Sequence, residues 1–152
     1  MAQRLKVLLD ADVIFAGSAA PTEHSASNAI LQMGEITLIE CVASQQAVTE
    51  VERNMAEKLP AKLPELRLIV SRCLHLVPDP EPVELTQYTG QADTEDLPIL
   101  VAALREGCTY LLTFNIRHYH PTGKRIAVQR PGEFMLAIRE RLSTLAPGKD
   151  YD

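Results

Sequence analysis

Leu5-Lys6-Val7-Leu8-Leu9-Asp10-Ala11-Asp12 decides the fold. The run from Leu5 to Leu9 is apolar with few polar interruptions, which suits a strand buried on both faces, as in a parallel sheet. Asp10 and Asp12 follow at once. Residues two apart in an extended chain point the same way. If the extended conformation continues through Asp12, both carboxylates face one place, and two such charges repel unless a cation lies between them. A turn is the other reading of the pair, since Asp accepts backbone hydrogen bonds after strands.

Outward from this stretch, strands and helices alternate. Gly17, Pro21 and the polar cluster Thr22–Asn28 break the chain, and a helix is expected to carry Ala29, Ile30, Leu31 and Met33 and to stop at Gly34. Ile36–Cys41 reads as a second strand. Ser44 can cap a helix running to about Lys58, with Val48, Val51, Met55 and Leu59 as its buried stripe. Ala47, Glu50 and Asn54 form the stripe beside it. Pro60 and Pro64 punctuate its end, Glu65–Cys73 is a further helix, and Leu74–Val77 a short strand.

Pro78–Pro82 is a rigid surface connection, too short to separate domains. A helix begins near Asp93–Asp96 and buries Leu97, Leu100, Val101 and Leu104. Pro98 is tolerated in its first turn and Gly107 suits the left-handed position past its end. Tyr110–Phe114 and Ile126–Val128 are the remaining strands, and Pro131 to about Leu142 closes the chain as a helix with Phe134, Ile138 and Leu142 on one face. The expected fold class is α/β: one domain over residues 1–152, a three-layer sandwich with a mostly parallel central sheet and helices on both faces.

The chain has 152 residues and a formal net charge of −5. This length supports one domain with a real core. The acidic balance argues against a protein that coats nucleic acid by charge alone. It leaves room for a nuclease whose metal cations offset clustered carboxylates. No segment reaches the apolar length of a membrane span, and the N-terminus does not read as a signal peptide, so a cytoplasmic protein is expected. Cys41, Cys73 and Cys108 are odd in number and far apart, with apolar neighbours. They read as small buried residues rather than a zinc site or disulfide framework.

Four polar residues beside apolar runs are the candidates for chemistry: Asp10, Glu50, Asp96 and Asn115. Strand ends and helix starts are where an α/β fold builds its crevice. Gathered oxygens there make a hard-cation site suited to phosphodiester chemistry. Each residue also has an ordinary explanation. Asp96 could belong to a capping arrangement with Asp93 as N-cap, Glu50 could be a solvated helix position no different from Glu52, and Asn115 could be a turn residue. Arg117, His118, His120, Lys124, Arg125 and Arg130 form a basic stretch that could meet a phosphate backbone or simply be solvated.

Taken in order, these stretches resemble the PIN domain, a nuclease fold related to the metal-dependent 5′-nucleases. Val7–Val13 resembles its opening strand and first acidic motif, Ser44–Arg53 its Glu-bearing helix with Glu50 in register, and Asp96–Leu104 its third motif. Leu112-Thr113-Phe114-Asn115 with Arg117, His118 and Tyr119 resembles the fourth, and Pro131–Phe134 the start of the closing helix. Many members have Asp at the fourth position. Asn in Thr-Phe-Asn resembles a branch of toxins from toxin–antitoxin pairs. Asp12 stands where the family commonly has Asn.

The resemblance implies a metal-dependent ribonuclease, with Asp10, Glu50, Asp96 and Asn115 around Mg2+ or Mn2+. Thr113 and Asp12 would support them, and Arg117, His118, Lys124 and Arg125 would contact RNA. It also implies a possible antitoxin partner and a homodimer. Two other functions stay open: a PIN-fold RNA- or protein-binding module with weak or no catalysis, and a phosphatase resembling the haloacid dehalogenases. The latter opens with Asp-x-Asp but needs a late acidic pair, and the only Asp residues after Asp96 are Asp150 and Asp152.

Overall fold

The computed structural model describes residues 4–145. Five parallel strands form one sheet in the order β3-β2-β1-β4-β5: β1 (Lys6–Leu9), β2 (Glu40–Ser44), β3 (Leu74–Val77), β4 (Tyr110–Leu112) and β5 (Ala127–Gln129). The helices are α1 (Ala11–Ala19), α2 (Ser25–Glu35), α3 (Gln45–Lys58), α4 (Leu63–Cys73), α5 (Pro82–Leu85), α6 (Leu97–Arg105) and α7 (Pro131–Ser143). The chain winds from β1 outward to β2 and β3, then returns across the sheet to β4. Right-handed crossovers therefore put the helices of the outward and return paths on opposite faces. Helices α1, α2, α3, α4 and α7 pack among themselves, whereas α6 lies against β2 and β4 with α5 beside it. This is the three-layer α/β architecture expected from the sequence. Among the described residues no helix is long and apolar enough to cross a membrane.

The central strands are buried on both faces, as their apolar runs required: Val7, Leu8, Leu9, Leu111 and Leu112 are inaccessible to solvent. Ser44 caps α3, its hydroxyl accepting from the Ala47 amide at 3.2 Å. Gly107 has φ 74° and sits just past α6. There the Cys108 amide donates to the Ala103 carbonyl and the Gly107 amide to the Leu104 carbonyl, which closes the helix end as a Schellman motif. All three cysteines are free and buried. Burial pushes the Cys41 and Cys108 thiols up to about 12, which removes thiolate chemistry at neutral pH.

Several expectations need correction. Residues 11–19 form a helix, not an extended continuation with a break at Gly17. Ala11, Val13, Ile14, Ala16, Gly17 and Ser18 are all buried, so α1 has no polar face from which a 3.6-residue period could be read. Gly17 lets α2 approach: a Cβ there would lie 2.8 Å from Leu31 Cδ1 and 3.0 Å from the Ser27 carbonyl carbon.

The second strand is Glu40–Ser44, later than Ile36–Cys41, and Ile36 and Leu38 are exposed in the preceding turn. The fifth strand, Ala127–Gln129, begins one residue later than expected. Helix α6 buries Ile99, Ala102 and Ala103 as well as the expected stripe, because sheet and α5 flank it. Leu59 and Leu142 lie at helix ends and are exposed rather than buried.

Gly34 does not stop α2; it lies one residue before the end of that helix. A Cβ there would meet the Cys73 carbonyl oxygen at 2.6 Å and Cys41 Sγ at 2.9 Å. Gly34→Ala would gain about 1 kcal/mol from helix propensity but lose about 1–3 kcal/mol to overpacking against backbone. The thermal midpoint is expected to fall by several degrees. A midpoint equal to or above the parent's would show that α2 can shift freely away from β2.

Candidate active site

Strands β1 and β4 are neighbours from which the chain departs in opposite directions, and the crevice beyond their carboxyl ends is the topological switch point. Asp10 leaves β1 there, its amide donating to the Leu112 carbonyl at 3.0 Å. Its side chain caps α1 and is buried, 8% exposed. Oδ1 accepts from the Ala11 amide at 2.8 Å; Oδ2 accepts from Thr113 Oγ1 at 3.0 Å and from Tyr119 Oη at 2.7 Å. Three donors compensate the burial of one carboxylate.

Asp12 lies in the first turn of α1, so its convergence with Asp10 does not come from extended backbone. It comes from β4. Asp12 Oδ2 accepts from the Phe114 amide at 3.0 Å and from Asn115 Nδ2 at 3.2 Å, and lies 3.4 Å from Thr113 Oγ1. Oδ1 is buried with no hydrogen-bond partner. The Asn115 side chain thus turns to Asp12 rather than standing alone over the crevice. Thr113 holds Asn115 through its backbone, the Asn115 amide donating to Thr113 Oγ1 at 3.0 Å.

Asp10, Glu50 and Asp96 line one cleft of about 660 Å³, together with Gln46, Thr49, Arg53, Asp79, Thr94, Glu95, Pro98 and Ile99. Glu50 comes from α3, whose buried residues Ala47, Val48, Val51 and Met55 fix which face looks outward. Glu52 is not among the lining residues. The Asp79 carboxylate accepts from the Gln46 amide at 2.8 Å, and Gln46 Nε2 donates to the Glu95 carbonyl at 3.2 Å, tying α3 to the approach to α6. Asp96 sits at the N-cap position of α6 but makes no side-chain capping bond. Its Oδ2 instead accepts from His118 Nδ1 at 3.0 Å. The capping explanation of Asp96 is therefore set aside.

The electrostatics are unfavourable without a cation. Burial first, then the charge of Asp10, raises Asp12 to about 6. Burial, then Asp10 and Asp96, raises Glu50. Burial, then Asp10, raises Asp96, with His118 opposing. Burial, then Asp10, also raises the Tyr119 phenol, which keeps it a hydrogen-bond donor. Carboxylates that resist ionisation, Glu50 and Asp96 on the cleft and Asp12 beside Asp10 with an unpartnered buried oxygen, fit a hard divalent cation such as Mg2+ or Mn2+. A second group shares Asp96: ligand atoms of Asp93, Asp96 and His118 lie within 4.8 Å of one another.

The basic stretch is divided by the fold. Arg117 and His118 follow β4 at the carboxyl edge of the sheet, and His118 is engaged with Asp96. Lys124 and Arg125 precede β5, whose first residue pairs with the first residue of β4, so they lie at the opposite edge. Arg125 reaches the Leu104 carbonyl at 3.5 Å, in the last turn of α6, about 12 Å along that helix from Asp96. The four residues expected to contact RNA are thus divided between the two edges of the sheet. The cation that does line the cleft, Arg53, was not singled out by sequence, and Tyr119 was named only within the fourth motif, with no role of its own. Arg53 lies at i+3 from Glu50 and so could have been noticed. Nothing local marks Tyr119, whose partner is 109 residues away.

A family model described as the PIN domain matches residues 6–117. No curated protein matches the chain. Among solved structures, the chain is similar to VapBC2 from Rickettsia felis bound to a DNA fragment from its promoter, with a TM-score of 0.58 and 16% identity over 83% of this chain and 98% of that one. It is also similar to VapC20 of Mycobacterium tuberculosis, a sarcin-ricin loop cleaving toxin, with a TM-score of 0.51 and 9% identity over 69% and 86% of the respective chains. Likeness at these identities is a likeness of fold.

Asp12 yields a stability test. Its folded pKa lies above its ordinary value of 3.8, so between about pH 4 and 6 the native state binds the proton more tightly than the unfolded chain. Stability contributed at Asp12 therefore falls as pH rises through that window. Without divalent cations, Asp12→Asn is expected to gain on the parent as pH rises from 4 to 6 and to hold an advantage of about 1–3 kcal/mol above it. Chemical denaturation of both proteins in chelator measures this. A difference that does not vary with pH would show that Asp12 is not held against its charge.

Proposed function

The chain belongs to the PIN domain family, and on that premise we propose that it is a metal-dependent ribonuclease acting in the cytoplasm on single-stranded or locally unpaired RNA. The observation that carries this reading is the meeting of Asp10, Glu50 and Asp96, from a strand end, a helix face and a helix start, on one cleft at the switch point.

In this reading Asp10 and Asp96 hold Mg2+ or Mn2+. The cation supplies Lewis-acid polarisation and neutralises the negative charge that grows on the phosphoryl oxygens. Glu50, the most open of the three carboxylates and one whose pKa is raised, takes the proton from the attacking water. Arg53, one turn along α3, meets a phosphate oxygen and draws the backbone into an otherwise acidic cleft. Asn115 acts through Asp12, which keeps the Thr113–Asn115 turn against the start of α1. No covalent bond to the enzyme is required, and the haloacid-dehalogenase alternative loses support because no Lys among the described residues lines the cleft.

The likeness in fold to VapBC2 and VapC20 supports a narrower version, in which the chain is a toxin, works as a homodimer and is held by a protein antitoxin. A catalytically weak binding module of the same fold is distinguished by the metal.

Asp10→Asn and Asp96→Asn are expected to lower RNA cleavage by at least about 100-fold while the circular dichroism spectrum stays that of the parent. Chelator should abolish cleavage and added Mn2+ or Mg2+ restore it. Parental cleavage by either folded variant, or in excess chelator, would refute the mechanism, and failure of the parent to bind Mn2+ would favour the binding module.

A further inference from the structure

Resting on the nuclease reading above, we infer that Tyr119 and His118 are positioning residues that brace the two cation-holding carboxylates, Asp10 and Asp96, from adjacent positions of one short segment. The segment His118–His120 pairs with Gln91–Asp93. Ala92 and Tyr119 form an antiparallel bridge, the Asp93 amide donates to the His118 carbonyl at 2.8 Å, and the His120 amide donates to the Gln91 carbonyl at 2.7 Å. The Gln91 side chain adds a clasp by accepting from the Thr122 amide at 3.1 Å.

Tyr119 has extended backbone and directly follows His118, the last residue of the 3-10 turn Ile116–His118. Tyr119 turns inward, 5% exposed, and donates to Asp10 Oδ2. His118 and His120 turn toward Asp93. His118 Nδ1 donates to Asp96 Oδ2, and the two imidazoles flank Asp93 at 4.0 and 3.7 Å.

The same small ladder also sets the start of α6. The Asp93 carbonyl accepts from the amides of Asp96 and Leu97, so the backbone that pairs with residues 118–120 also starts the helix bearing Asp96. The Asp96 side chain makes no bond to its own helix terminus. His118 is what orients it. Tyr119 fills the core as Phe could, yet its hydroxyl meets a carboxylate oxygen, which a space-filling ring does not require. Ligand carboxylates are commonly held by a partner of this kind, and loss of the partner weakens metal affinity or activity about 10–100-fold.

The test is Mn2+ titration by calorimetry, alongside Mn2+-dependent RNA cleavage, of the parent, Tyr119→Phe, His118→Ala and His118→Asn. Tyr119→Phe keeps the ring and His118→Asn keeps a donor at the place of Nδ1. Tyr119→Phe and His118→Ala are each expected to bind Mn2+ about 10–100-fold more weakly, with cleavage largely recovered at saturating Mn2+. His118→Asn should return close to the parent. Parental Mn2+ affinity in both Tyr119→Phe and His118→Ala, or a His118→Asn as weak as His118→Ala, would overturn the inference and leave the nuclease reading standing. A parent that binds no Mn2+ would overturn both. If Tyr119→Phe does not fold, the half-exposed His118 pair decides alone.

Discussion

A single buried carboxylate, that of Asp10, organises the functional end of this molecule. It accepts from the Ala11 amide, the Thr113 hydroxyl and the Tyr119 phenol, so it joins the end of β1, the start of α1, the end of β4 and the loop beyond. An isolated ion at that depth would be costly, and removing any one donor leaves the others to carry it. The partners lie 1, 103 and 109 residues away. The switch point therefore exists as a site only once the whole return path, from β3 through α6 to β4, has been laid down.

The site works against the fold that carries it. Asp12, Glu50 and Asp96 all resist ionisation, through burial and then through the charge of Asp10. What holds them together is the apolar layer beneath: Leu8, Leu9, Leu100, Leu111 and Leu112 are fully buried, and α3 and α6 present their cleft-facing residues from packed interiors. A sequence whose local choices agree everywhere except at one cluster of like charges has its conflict where function is expected.

Much of this was legible in the sequence, and the boundary of what was legible has physical causes. Strands β1 and β4 showed as apolar runs because both their faces are covered, and α3 showed because one face is not. The cap by Ser44 and the left-handed Gly107 are local chemistry and were found locally. Helix α1 escaped because it is buried nearly all round and has no period. The choice of Glu50 over Glu52 came only from family resemblance, since both sit on the same helix among polar neighbours. The division of the basic stretch was not legible because linear proximity does not survive a parallel strand: β5 begins at the edge of the sheet opposite the cleft, with Lys124 and Arg125 just before it. Tyr119 and the Asp96–His118 bond could not be read at all, being contacts between segments with no shared local pattern.

The pair Asp12 and Asn115 shows how a departure from a motif can preserve what the motif supplies. The family pattern favours an acid at the fourth position and an amide beside the first Asp; this chain has the two exchanged. In the structure they are hydrogen-bonded, Asn115 Nδ2 to Asp12 Oδ2 at 3.2 Å. An amide–carboxylate pair is nearly symmetric to such an exchange, because the donor simply approaches from the other partner. The negative charge moves by one hydrogen-bond length and remains beside Asp10, whose own charge helps to raise Asp12. Counting acids motif by motif registers a loss at position 115, whereas counting them by place in the folded chain registers none.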